Sequence, residues 1–232
     1  MNDIRKTHPT IYWIGGSKGG VGKSMVTMAV LDLLLEGERR PLLVECDTSN
    51  PDVCKAYDRL ATTELIDLDQ ADGWIHLVNT CETQRGGTVV VNTAARNNAG
   101  VRQYGQTLEG SLEELGSELV VLWVINRQRD SLELLKEFMD AVPRARIHVV
   151  RNAYFGDERK FEVYQGSKVR ESVESRGGLS VTFPELADRV ADDLFCKRLA
   201  IEAAAKVLPI GNRAELARWR GGVRRVLQRV VG

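Results

Sequence analysis

Three observations in this 232-residue sequence predict an α/β fold: a mostly parallel, twisted sheet with helices on both faces. Short β-branched runs alternate with stretches of helical periodicity. The run Leu119–Ile125 is apolar throughout, as a strand covered on both faces should be. A glycine-rich turn separates the first strand-like run from the first helical one.

The first strand is expected at Thr10–Ile14. A helix follows from Met25 to Leu35, where Val26, Ala29, Val30, Leu33 and Leu34 recur at helical spacing and Gly37 offers a stop. Leu42–Val44 is the next strand, and residues 51–86 hold one or two helical patterns and no clear strand. Thr88–Val91 is again β-branched, and Tyr104, Leu108, Leu112 and Leu115 mark one face of a helix. Beyond Leu119–Ile125, Asp130 and Glu133 have the spacing of an N-terminal cap ahead of Leu134, Leu135, Phe138 and Met139. Arg146–Val150 and Leu179–Phe183 are the remaining strands, with the polar, weakly helical residues 157–175 between them. Helices are expected over 185–206 and 213–230, the second weakened by Gly221-Gly222. No repeat, linker or boundary is visible, so one domain over residues 1–232 is expected.

Composition excludes several classes. Lys+Arg and Asp+Glu are both 32, so net charge does not argue for a nucleic-acid or membrane partner. Charge is uneven locally: six arginines and one acid from Gly211 onward, four acids and no base from Thr107 to Glu118. Cysteines 46, 54, 81 and 196 form no Cys-x-x-Cys pair, which speaks against a zinc ribbon or redox motif. The histidines at 8, 76 and 148 are scattered. No charged-then-apolar leader opens the sequence, and Leu119–Ile125 is too short to span a bilayer. A reducing cytoplasm is the expected location.

The chemistry concentrates at residues 17–25: Ser17, Lys18, Gly19, Gly20, Val21, Gly22, Lys23, Ser24 and Met25. A glycine loop between strand and helix can turn its backbone N–H groups onto a phosphate chain, helped by the positive end of the helix. In that geometry Lys23 reaches the β- and γ-phosphates and the Ser24 hydroxyl ligates Mg²⁺. A nucleoside triphosphate is therefore the expected ligand, within a P-loop NTPase three-layer fold. The ordinary loop pattern fails by one residue, because Ser17 stands where its first glycine belongs. The form that fits is Lys-Gly-Gly-x-Gly-Lys-Ser/Thr, with a second cation at Lys18.

This deviant loop resembles that of the ParA/MinD family of P-loop ATPases, and the likeness can be traced over most of residues 10–210. The resemblance implies ATP as substrate, Mg²⁺ as cofactor and a homodimer formed on ATP binding. It gives Lys18 a catalytic role, reaching across the dimer to the partner's nucleotide. The family's Asp-x-Asp after the second strand corresponds to Glu45-Cys46-Asp47, and Asp47 matches the acid that contacts the attacking water. A carboxylate there can orient water for in-line attack. Asp47 can also simply start the Asp-Thr-Ser-Asn-Pro turn. At the end of Thr88–Val91 the resemblance expects an aspartate that holds a water of the Mg²⁺ shell, and Asn92 stands in its place. An amide can bond that water but brings no charge, so weaker Mg²⁺ binding and slow or partner-dependent hydrolysis are expected. Ala94–Gly100 would be the γ-phosphate-sensing switch, with Gly100 as its pivot. Asn152, just past a strand, matches the asparagine whose amide reads adenine, and Phe183-Pro184 matches the backbone that passes along the base.

The C-terminal segment places Leu216, Trp219, Val223, Val226, Leu227 and Val230 on one helical face, with arginines mostly elsewhere. Such a helix can pack on its own domain, lie on an anionic membrane, or bind DNA phosphates non-specifically. The leading functional expectation is a dimer-switch ATPase in plasmid positioning, stability or conjugal transfer, working with an activating or cargo protein. The alternatives are a metal- or cofactor-insertion ATPase, a small-molecule kinase or ligase, and a nucleotide-binding scaffold with little turnover. The first of these is disfavoured because residues 93–118 contain no cysteine.

Overall fold

The computed structural model describes residues 9–17 and 19–231. In chain order it contains β1 (Thr10–Gly16), α1 (Lys23–Glu36), β2 (Leu42–Glu45), α2 (Asp52–Tyr57), β3 (Thr62–Leu65), α3 (Ala71–Thr83) and β4 (Thr88–Asn92). A 3₁₀ turn at Ala95–Asn97 leads into α4 (Asn98–Leu115), followed by β5 (Glu118–Ile125), α5 (Asp130–Ala141) and β6 (Arg146–Asn152). Two more 3₁₀ turns precede α6 (Glu162–Gln165) and α7 (Lys168–Ser175). The rest is β7 (Ser180–Phe183), α8 (Asp188–Cys196), α9 (Ile201–Val207) and α10 (Ile210–Leu227).

The seven strands form one sheet in the order β3-β2-β4-β1-β5-β6-β7, with every pairing parallel. Alternation along each strand divides the core in two. Tyr12, Ile14, Leu122 and Val124 face α1, α9 and α10, whereas Ile11, Trp13, Val121 and Trp123 face α3, α4 and α5. This is the expected three-layer arrangement. β1 lies between β4 and β5, where successive connections leave in opposite directions, so a crevice opens beyond its carboxyl end.

Several local expectations are corrected. Residues 51–86 do contain a strand, β3. Thr62-Thr63-Glu64-Leu65 occupies the sheet edge and buries none of its residues fully, so it carries no apolar run. The 185–206 helix is two helices, broken at 197–200, where Arg198 takes φ 51°. α5 is preceded by Arg129 without a side-chain cap, and Asp130 and Glu133 sit inside its first turn. There they complement the helix dipole instead. Gly100 lies within α4, and a Cβ there would come 2.0 Å from the Leu68 carbonyl oxygen. Glycine is needed for that close approach.

Candidate nucleotide site

The loop from β1 to α1 turns through two glycines of positive φ, Gly20 at 77° and Gly22 at 104°. Gly22 occupies the N-cap of α1 with no side chain to satisfy the first N–H groups, which are left for an anion. A Cβ at Gly22 would lie 2.4 Å from Asn152 Nδ2, so the loop also needs glycine for space. Lys18 lies outside the described residues. Ser17 is buried with its hydroxyl 2.7 Å from that of Ser131, at the start of α5. Its side chain therefore anchors the loop, leaving backbone as what it can offer a ligand.

Two cavities meet at this loop. One, about 370 Å³, is lined by Gly19, Gly20, Gly22, Lys23, Ser24, Met25, Asp47 and Thr93 among others. The other, about 170 Å³, is lined by Asn152, Tyr154, Phe183, Pro184, Glu185, Asp188 and Trp219 among others, and shares Gly20, Gly22 and Met25 with the first. Val21, although in the loop, is buried in the core.

The phosphate-side cavity is charged. Lys23 is 7% exposed, and burial pulls its ammonium down to about 8, against the opposing pull of the Asp47 charge. Asp47 closes the turn after β2 by accepting from the Asn50 N–H at 3.2 Å, while it also lines the cavity. The turn and the site use the same carboxylate. Behind this wall, Glu45 and Asn92 are register partners on β2 and β4 and so share a sheet face. Asn92 Nδ2 donates to both Glu45 oxygens, at 2.9 and 3.1 Å, and Asn92 Oδ1 accepts from Thr27 Oγ1 at 2.8 Å. The Asp47 N–H donates to Glu45 Oε1 at 3.0 Å. Burial pushes the Glu45 carboxyl up to about 7, with those hydrogen bonds pulling the other way. Asn92 thus has its amide turned onto Glu45, and the negative charge at this end of the sheet belongs to β2. Neither Glu45 nor Thr27 was expected in this role from the sequence. Strand register is what joins Glu45 to Asn92.

The base-side cavity is mainly apolar, with the carboxylates of Glu185 and Asp188 on its lining. Asn152 and Phe183 are register partners on β6 and β7, which brings together residues 31 apart in the chain. Asn152 Nδ2 donates to the Val21 carbonyl at 2.9 Å, and its Oδ1 accepts from the Tyr154 N–H at 3.1 Å. Trp219 of α10 donates to the Pro184 carbonyl at 2.9 Å and meets Phe183 edge-on at 5.7 Å. Trp219 was placed on an apolar helix face by its spacing, but nothing in that spacing pointed to the cavity.

α10 packs on the chain's own core through Leu216, Trp219, Val223 and Leu227. Its polar side is partly spent internally: Arg220 grips Asp32 of α1 through two bonds of 2.9 Å, Arg224 pairs with Glu36, and Arg218 with Glu215.

A parallel seven-stranded sheet with a glycine loop after its central strand is a P-loop nucleotide-binding architecture. Residues 12–160 match the CobQ/CobB/MinD/ParA nucleotide binding domain, and the chain belongs to that family. It is 63% identical over 222 residues to Protein MobD of Acidithiobacillus ferrooxidans, covering 96% of this chain and 98% of that protein. Among solved structures, the MinD cell division protein of Aquifex aeolicus superposes with a TM-score of 0.55 at 14% identity, covering 92% of this chain and 97% of that one. The cell division protein FtsY of Thermotoga maritima gives 0.51 at 13% identity, covering 76% and 62%. At such identities these two likenesses concern the fold.

Proposed function

We propose that this chain is an ATP hydrolase in which ATP bridges two copies and hydrolysis releases them. What supports nucleotide binding is the pair of cavities joined at Gly20, Gly22 and Met25, one charged and one mainly apolar. A nucleotide has the same division, polyphosphate at one end and aromatic base at the other. Lys23 and the loop N–H groups hold the phosphates, Asn152 and the Phe183-Pro184 backbone meet the base, and Asp47 orients the attacking water. Lys18 supplies the second cation, across the dimer.

Mg²⁺ suits this donor set. No cluster of three His, Cys, Asp or Glu among the described residues could hold a metal by itself, and Mg²⁺ characteristically takes one or two protein oxygens plus phosphates and water. Ser24 would be the protein ligand, and the ion would neutralise charge on the phosphates. Asn92, with its amide on Glu45 and its Oδ1 accepting from Thr27, would have only its remaining acceptor capacity for a water of the ion's shell.

A second reading, a nucleotide-binding scaffold with little turnover, draws support from the same closed Glu45–Asn92 pair. A role in plasmid positioning, stability or conjugal transfer fits the family, and the name MobD of the 63% identical relative fits the transfer option. The partner would be an activating or cargo protein. Contact of α10 with DNA or a membrane would fall to exposed arginines such as Arg225 and Arg229. No helix among the described residues is long and apolar enough to cross a membrane.

The test is sizing by light scattering with ADP, ATP and a non-hydrolysable analogue. Dimerisation with ATP and the analogue only, lost in Lys18→Ala, is the expected outcome. Identical mass in every condition would sink the bridge, and phosphate release in the same samples separates hydrolase from scaffold.

A further inference from the structure

Arg96 stands in the 3₁₀ turn after β4, one residue beyond the cavity-lining Ala95. Its guanidinium reaches two other loops at once. Nη1 donates to Ser49 Oγ at 3.1 Å and Nη2 to Thr48 Oγ1 at 3.0 Å, both in the loop after β2. Nε donates to the Asp69 carboxylate, in the loop after β3. Asp47 Oδ1 and Asp67 Oδ1 each lie 4.0 Å from the fork.

The anchor on the β3 side is itself fixed. Asp69 Oδ1 also accepts from Asn97 Nδ2 at 3.0 Å, while Asn97 Oδ1 accepts from the Ala94 N–H at 2.7 Å. Trp74 Nε1 holds the Leu68 carbonyl at 3.0 Å. On the other side, Asn98 Nδ2 approaches the carbonyls of Gly16 and Ser17 at 3.4 Å. The segment carrying Arg96 is thus stitched to the phosphate loop and to the β3 loop. Arg96 extends that stitching to the loop that carries Asp47.

An isolated exposed ion pair contributes little, and Arg96 is 39% exposed. What distinguishes this one is its geometry. Two of the fork's contacts go to neutral hydroxyls in adjacent residues, which fixes a loop in place without depending on net charge. We propose that Arg96 is a positioning residue for hydrolysis, holding Thr48 and Ser49 so that Asp47 stays at the wall of the phosphate cavity. This rests on the hydrolase reading of Asp47.

Arg96→Gln, Arg96→Lys and Asp69→Asn test it. In the nucleotide-free protein, Arg96→Gln should raise amide hydrogen exchange over residues 47–50 and 66–70 together, leaving residues 26–34 of α1 unchanged. Turnover should fall about 10- to 100-fold, as expected for a displaced catalytic group, with KM for ATP and affinity for a non-hydrolysable analogue nearly unmoved. Arg96→Lys should recover little, since an ammonium lacks the fork that bridges both loops. The Asp69→Asn and Arg96→Gln effects should not add. Unchanged exchange at 47–50 overturns the proposal whatever the turnover does. So does raised exchange with unchanged turnover, or full additivity with Asp69→Asn. A native chain that binds ATP yet releases no phosphate fails differently: it removes the role of Asp47, and the exchange data still report whether Arg96 holds the loop.

Discussion

The two cavities beside the phosphate loop are built by opposite means. The base-side wall rests on strand register and packing, with Phe183, Pro184 and Trp219 locked by an edge-on ring contact and one indole hydrogen bond. Its polar group, Asn152, already has its bonds within the protein. The phosphate-side wall holds buried ionisable groups displaced from their ordinary behaviour, Lys23 downward and Glu45 upward, and both by burial. The first wall is largely closed by the protein's own contacts. Beside the second, a bound polyanion would favour the charged form of Lys23 and disfavour that of Glu45. The two walls are thus set by different physics.

The sharpest way to break this comparison is Lys23→Ala. ATP affinity should fall at least about 100-fold by calorimetry, as for loss of a charge-assisted contact in a desolvated site. The same group makes binding pH-dependent. Because the free ammonium titrates near 8 and phosphate favours its charged form, binding takes up a proton. Affinity should hold below pH 7 and weaken by up to about tenfold per unit above 8, a slope absent in the alanine variant. A flat profile in the native chain would mean that burial does not depress the Lys23 ammonium.

Asn92→Asp probes the buried pair. It sets a second carboxylate within about 3 Å of Glu45, and like charges so close cannot both ionise. Urea denaturation at pH 8 should show a loss of about 2–4 kcal/mol. Adding Glu45→Gln should restore most of it by exchanging the positions of acid and amide. The sign also has a pH signature. Glu45 has a folded-state pKa raised to about 7, so its contribution is fully present below the unfolded value near 4.5 and is lost as pH rises toward 7.

The smallest effect belongs to the base side. Trp219→Phe keeps the apolar contact and drops the bond to Pro184. About 1 kcal/mol of stability should go, with ATP affinity changed only a few-fold. A 100-fold loss would mean that the base wall is no more preformed than the phosphate wall.

Legibility in the sequence followed the same line. The loop could be read because glycine, lysine and serine at fixed spacing have one strong use, and the three-layer core because Leu119–Ile125 and its neighbours carry runs of apolar residues. β3 escaped because an exposed edge strand needs no such run. Glu45 and Asn92 were each visible as residues at strand ends, but their contact depends on β2 lying beside β4, which no local pattern encodes. Arg96 carries no signal in the sequence, since a side chain bridging two loops leaves no periodic trace. Asp130 resembled a cap because it shares that motif's chemistry with ordinary first-turn acids.

The mainly apolar cavity is finished by Trp219, whereas the amides of the glycine cradle beside the charged one come from residues 19–24. As the ribosome delivers this polypeptide, the cradle emerges early and its far wall nearly two hundred residues later. A nascent chain stalled before α10 would carry the glycine loop without Trp219, so the apolar cavity is completed only at the end of synthesis.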